Sequence, residues 1–288
     1  MLYLKYFTFP DANTETDFLW KIQRMCYDSF YPFKILSAKN LNRIDFEPVT
    51  ILCGGNGSGK STALNVIAEK TKAQRDSAYN KSSFYPDYIN MCGMPLAAAV
   101  PENSRIITSD DVFDHMLNIR SLNEGIDLKR EDLFQEYLDV KYSPEYYGFQ
   151  MKSLDDYEQF KKVNKLKSKT QSQFVRSEVT DNIREYSNGE SAYRYFTEKI
   201  GEDGLYILDE PENSLSPQRQ LELADFIQDS ARFYRCQFII STHSPFLLSM
   251  KQAKIYDLDA NPVGIKRWTE LENIRAYYEF FKSHEDKF

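Results

Sequence analysis

Val49–Thr62, VTILCGGNGSGKST, decides how the chain is read. VTILC is a short, almost wholly apolar run, suited to a strand buried on both faces. It passes directly into Gly54-Gly55-Asn56-Gly57-Ser58-Gly59-Lys60-Ser61, which fits the spacing G-x-x-x-x-G-K-[ST]. Glycines at these positions let successive backbone N–H groups wrap an anion without Cβ clashes, and a helix beginning at Lys60 adds its positive end. Lys60 is expected to reach the β- and γ-phosphates of a nucleotide and the Ser61 hydroxyl to ligate Mg²⁺, with Thr62 beside them. A glycine-rich turn with a surface lysine is the ordinary alternative. The flanking strand and the helical pattern STALNVIAEK argue against it.

Outward from this loop, Leu205-Tyr206-Ile207-Leu208-Asp209-Glu210 is a second buried-strand pattern, closed by two acids. Taken alone, the acids would merely stop a strand. Behind a phosphate loop, Asp209 is expected to hold Mg²⁺ and Glu210 to polarise the attacking water as general base. Tyr186-Ser187-Asn188-Gly189-Glu190-Ser191 precedes a helix expected over 190–200. Ser187 and Glu190 have capping-box spacing, and a capped helix start is also an anion site, so Ser187, Gly189 and Glu190 are candidate nucleotide contacts. His243 lies in Ser241-Thr242-His243-Ser244-Pro245, after a third apolar strand, and taken alone such a histidine would be structural.

In this order the motifs resemble those of ABC-type ATPases, especially the RecF-like, SMC-like and OLD-type predicted ATPases of bacteria. The stretches that carry the resemblance are LYILDEPENSLSPQRQ, FIISTHSPFLL and AKIYDLD. It covers residues 33–70 and 182–260. YSNGES stands where that family has its LSGGQ signature, Ser214-Leu215-Ser216 stands at its D-loop, and His243 stands at its switch histidine, which implies a bond to the γ-phosphate or the attacking water. The resemblance implies a P-loop NTPase of α/β class, with a mostly parallel central sheet, an antiparallel β subdomain and a helical lid. It implies ATP and Mg²⁺ as ligands and a head-to-tail homodimer in which one subunit's P-loop and the other's signature share each ATP. It also implies an effector partner such as a nuclease, in DNA transactions or antiphage defence.

Departures are visible. No glutamine follows RIITS at 105–109, where the family's Q-loop falls, so Asp110 is the candidate for that metal- or water-contacting role. Signature position three is Asn188, and no long coiled coil is inserted. Tyr31 and Phe33 lie where transporter ATPases keep an adenine-stacking aromatic, in a chain with 20 Tyr and 20 Phe. An ATP-binding transporter subunit and a P-loop kinase are the competing readings. A kinase predicts a lid of arginines and no signature helix, and a transporter predicts the missing glutamine.

Composition bounds the rest. With 42% hydrophobic residues in 288, the chain can bury a sizeable core. A net charge of −7 excludes a uniformly basic, nucleic-acid-coating surface. Four scattered cysteines and three histidines suggest no zinc site, and free thiols fit a reducing, cytoplasmic setting. The N-terminal segment has no signal-peptide pattern, and the longest apolar run is too short to span a bilayer, so no membrane role is expected. The whole chain, 1–288, reads as one ABC-type ATPase domain, with a core at 33–110 and 182–270 and a helical insert at 111–181. Strands are expected at FKILSAKNL (33–41), VTILC, RIITS, LYILD and QFIIST, with AKIYDLD and VGIKRW as a closing hairpin. Proline begins a helix at 217 with apolar residues at 221, 224, 227 and 231. The lysine-dense run Lys161–Lys169 is either a nucleic-acid contact or a solvated helix face.

Overall fold

The computed structural model describes residues 2–287 except 23–25, 144–156, 158–160, 162–163, 165–167 and 184–187. The chain divides into two compact units, residues 1–113 with 187–288, and residues 114–186.

The first unit is α/β and is built on a six-stranded sheet. In chain order its strands are β3 (Val49–Cys53), β4 (Arg105–Thr108), β5 (Leu205–Asp209), β6 (Gln237–Ser241), β7 (Lys254–Asp257) and β8 (Gly264–Ile265), arranged β4-β5-β6-β3-β7-β8. All pairs are parallel except the last. All of β3 and β6 and the first four residues of β5 are buried, as the uninterrupted apolar runs require of strands covered on both faces. A separate antiparallel ladder pairs β1 (Tyr6–Thr8) with β2 (Arg43–Asp45). The helices of this unit are α1 (Ala12–Lys21), α2 (Lys60–Thr71), α3 (Tyr85–Met91), α6 (Asn188–Lys199), α7 (Pro217–Phe233), α8 (Pro245–Leu248) and α9 (Glu272–Lys282).

The second unit holds most of α4 (Ser109–Tyr142) and all of α5 (Gln171–Glu178). A small core of Tyr137, Phe174 and Val175 joins these helices, and Thr170 caps α5 with a reciprocal box to Gln173. Lys161 is exposed and Lys169 donates to Ser177 Oγ at 2.9 Å. Lys162, Lys165 and Lys167 lie outside the described residues.

One expectation fails. Residues 33–41 form turns and a 3₁₀ segment at Ser37–Lys39, not a strand. Lys34 and Asn40 adopt left-handed conformations, with φ 63° and 54°, that no strand accommodates. In addition, the buried Glu15 carboxylate takes the Lys34 N–H and the Ser37 hydroxyl, both at 2.7 Å. On α7 the buried face is Leu223, Ala224, Ile227 and Ser230, and Leu221 is 42% exposed.

Glu15 supports the turn that carries Ile35 and Leu36, and burial pushes its carboxyl above the usual range. The folded state therefore binds that proton more tightly than the unfolded state, and stability falls as pH rises through the raised value. Glu15→Gln keeps an acceptor oxygen and cannot ionise. In urea unfolding it should match wild type below about pH 4, the ordinary glutamate range, and exceed it at neutral pH. An advantage confined to acid would contradict this account.

Candidate nucleotide site

The loop between β3 and α2 takes the shape that its glycines permit. Gly57 and Gly59 are left-handed at φ 79° and 96°. A Cβ at Gly59 would stand 3.0 Å from Leu36 Cδ2 and 3.3 Å from Ile35 Cγ2, so the Glu15-supported turn presses directly on the start of α2. Lys60 is the first residue of α2, and its side chain is 4% exposed. Its ammonium donates to the Gly54 and Gly55 carbonyls at 2.8 and 3.2 Å. The Gly55 N–H faces both oxygens of Asp259, at 2.9 and 2.7 Å.

Parallel pairing brings the other motifs to the same edge. β5 runs beside β6, with Asp209 opposite Ser241, and β6 runs beside β3. In an open parallel sheet the carboxyl ends of the strands form the ligand crevice. Here Ser61 Oγ donates to Asp209 Oδ1 at 3.1 Å, and the Ser241 hydroxyl donates to the same oxygen. Burial raises the Asp209 carboxyl, against the hydrogen bonds from Ser241 and Ser61. Together Asp209 and Ser61 offer hard oxygen donors of the kind Mg²⁺ takes. Among the described residues no three His, Cys, Asp or Glu side chains gather as a metal cage, so phosphate and water oxygens would complete the shell.

Glu210 stands in a left-handed conformation, φ 50° and ψ 55°, which costs a non-glycine residue about 1–3 kcal/mol. Its N–H bonds the Ser241 carbonyl at 3.1 Å and the Ser241 hydroxyl at 3.0 Å, holding the backbone there. The carboxylate is thereby turned toward Lys60 at 3.4 Å and His243 Nε2 at 3.3 Å, and it accepts from Asn213 at 3.1 Å. Burial alone would raise the Glu210 carboxyl. The hydrogen bond from Asn213 and the charge of Lys60 outweigh it and hold the group below the ordinary glutamate range. At neutral pH it is an acceptor. His243 Nε2 lies 2.9 Å from the Lys60 ammonium, which makes that nitrogen the acceptor of the pair.

The structure thus gathers Lys60, Ser61, Asp209, Glu210 and His243. Gly189 and Glu190 lie in the first turn of α6, and a Cβ at Gly189 would contact the backbone of Ser214 and Ser216 at 3.6 and 3.7 Å. Ser187 lies outside the described residues. Asp110 is exposed in the first turn of α4, where it is Asp111 that folds back, accepting from the Thr108 N–H at 2.6 Å. Tyr31 reaches α2 through a bond to Thr62 Oγ1 at 3.2 Å, whereas Phe33 is buried between Phe18 and Tyr88 in the core and presents no open face. Sequence reasoning did not single out Ser241, Asn213, Glu212 or Asp259 for the site. Ser241 alone carried a signal, as a polar residue ending an apolar strand.

Residues 98–249 match the family described as "AAA domain, putative AbiEii toxin, Type IV TA system". The glycine loop at 54–61 lies before the matched stretch. No curated protein matches the chain. Similar solved structures include the Smc head domain of Pyrococcus furiosus with an extended coiled coil, bound to the C-terminal domain of ScpA, at 13% identity over 84% of this chain and 95% of that one, TM-score 0.39. A nucleotide-free ATP-binding cassette of an ABC transporter is 17% identical over 82% and 87%, TM-score 0.38. The dimeric structure of a bacterial ABC transporter cassette is 12% identical over 80% and 90%, TM-score 0.37. Because the family match spans more than half of the 288 residues, the chain belongs to this AAA-domain family.

Proposed function

We propose that the protein hydrolyses Mg-ATP, working as a nucleotide-gated head-to-tail dimer that regulates a partner effector. The observation that carries the proposal is the convergence of these groups at the carboxyl ends of β3, β5 and β6, where Lys60, Glu210 and His243 lie within hydrogen-bonding or ion-pairing reach of one another and Ser61 bonds Asp209. The chain's own groups divide the work. Backbone N–H groups of the 54–61 loop and the Lys60 ammonium bind and orient the triphosphate. Ser61 and Asp209 would hold Mg²⁺, which when bound neutralises phosphate charge. Glu210, an ionised acceptor with a fixed backbone, takes a proton from the attacking water at its carboxylate. His243 Nε2 is directed at the same place: as an acceptor it suits the attacking water, and once Lys60 turns to the phosphates the other tautomer donates to a γ-phosphate oxygen.

The start of α6 supports a shared site. Gly189 lies against the Ser214–Ser216 backbone of its own chain, so the first turn of the helix and that loop form one continuous element that a second copy would meet. The family description names a toxin–antitoxin system, in keeping with an output in defence, where ATP gates a separate effector. Among the described residues no helix is long and apolar enough to cross a membrane.

Lys60→Ala should abolish binding of a fluorescent ATP analogue. Glu210→Gln should retain that affinity while turnover falls by at least about a hundredfold, the scale of a lost general base. Normal turnover in Glu210→Gln would refute its role. Ser187→Arg should be inactive alone, and mixing it with Lys60→Ala should restore at most one working site per dimer. A fully active Ser187→Arg would refute shared sites.

A further inference from the structure

The backbone changes direction after β6 and must present His243 to the site. Thr242 N–H still bonds the Leu52 carbonyl of β3, at 3.3 Å. His243 and Ser244, beyond the strand, have no such partner, and buried or half-buried amides need an acceptor from elsewhere. For His243 it is Glu212, in the 3₁₀ turn Pro211–Ser214 that follows the paired acids, and the Ser244 N–H is shared between the same carboxylate and Thr242 Oγ1 at 3.0 Å. Glu212 Oε1 accepts from the His243 N–H at 2.5 Å and from the Ser244 N–H at 3.2 Å, while Oε2 is buried with no hydrogen-bond partner. A buried carboxylate kept for two amides is expensive to maintain, which argues that the placement it secures is used.

A second strut runs alongside. Ser244 Oγ donates to Gln220 Oε1 at 2.6 Å, and Gln220 Nε2 donates to the Leu215 carbonyl at 2.9 Å. Ser244 in turn caps α8 by accepting from Phe246 and Leu247. The segment carrying His243 is therefore fastened at two points to residues 212–215, and residues 214–216 lie against Gly189 at the start of α6.

We infer that Glu212 is a positioning residue: its carboxylate anchors the His243 backbone and, with Gln220, couples the imidazole to the loop that lies against the start of α6. The inference rests on the ATPase reading and extends it, giving the 212–216 loop a route to the histidine of its own chain. A shift of that loop, such as docking of a second copy would cause, moves the anchor and with it Nε2.

The test is a double-mutant cycle with a structural readout. Glu212→Ala should lower kcat by roughly ten- to a hundredfold, the scale of an ångström's misplacement, with KM for ATP and affinity for a fluorescent ATP analogue within about threefold of wild type. Glu212→Gln, which keeps the acceptor oxygen, should recover most of kcat. In a His243→Ala background, Glu212→Ala should cause no further loss, because groups acting through one another are not additive. Amide hydrogen exchange of residues 242–246 should accelerate in Glu212→Ala and not in Glu212→Gln. Four results would each overturn the inference: multiplying losses in the double variant, a Gln variant no better than Ala, loss of analogue binding in Glu212→Ala, or unchanged exchange. Lys60-dependent turnover by wild type upholds the ATPase reading whichever way the cycle falls. A wild-type protein without turnover removes that reading, and exchange then decides the anchor by itself.

Discussion

A buried ammonium is the constraint around which the site is arranged. Lys60 is almost fully enclosed, and an enclosed cation is tolerated only if neighbouring groups replace its water. The replacements come from three parts of the chain: carbonyls of the loop that precedes it, the Glu210 carboxylate beyond β5 and the His243 imidazole beyond β6. Each of them depends on a strand ending at the right place. The phosphate loop, the acids and the histidine are consequently set by a single register, that of β5, β6 and β3.

That register also explains the strain at Glu210. A left-handed glutamate survives because Ser241, opposite Asp209 in the neighbouring strand, takes its N–H with both carbonyl and hydroxyl. The same hydroxyl donates to Asp209. One serine thus fixes both acids. They respond oppositely: burial dominates at Asp209 and raises it, whereas Asn213 and Lys60 prevail over burial at Glu210 and lower it.

Much of this was legible in the sequence because strands buried on both faces leave uninterrupted apolar runs. VTILC, LYILD and QFIIS announce themselves, and the residues at their ends follow. The stretch 33–41 misleads because it is apolar for a different reason. Phe33 and Leu36 enter the core from a turn, and the left-handed Lys34 that makes the turn has no marking in its residue type. Asn213 and Glu212 were invisible for another reason. Their importance lies in contacts across 31 residues or within a tight turn, and a polar residue in a loop has no periodicity to expose it. The β1–β2 ladder is short, three residues a side, and left no readable alternation.

In the proposed function the site is half of a larger one, completed when a second copy brings its α6 start over the triphosphate. Sedimentation velocity on the wild-type protein, with magnesium and a non-hydrolysable ATP analogue, measures this directly. The account predicts a monomer without nucleotide and a dimer with it. A protein that stays monomeric at high concentration with the analogue, yet still turns over ATP, would contradict it.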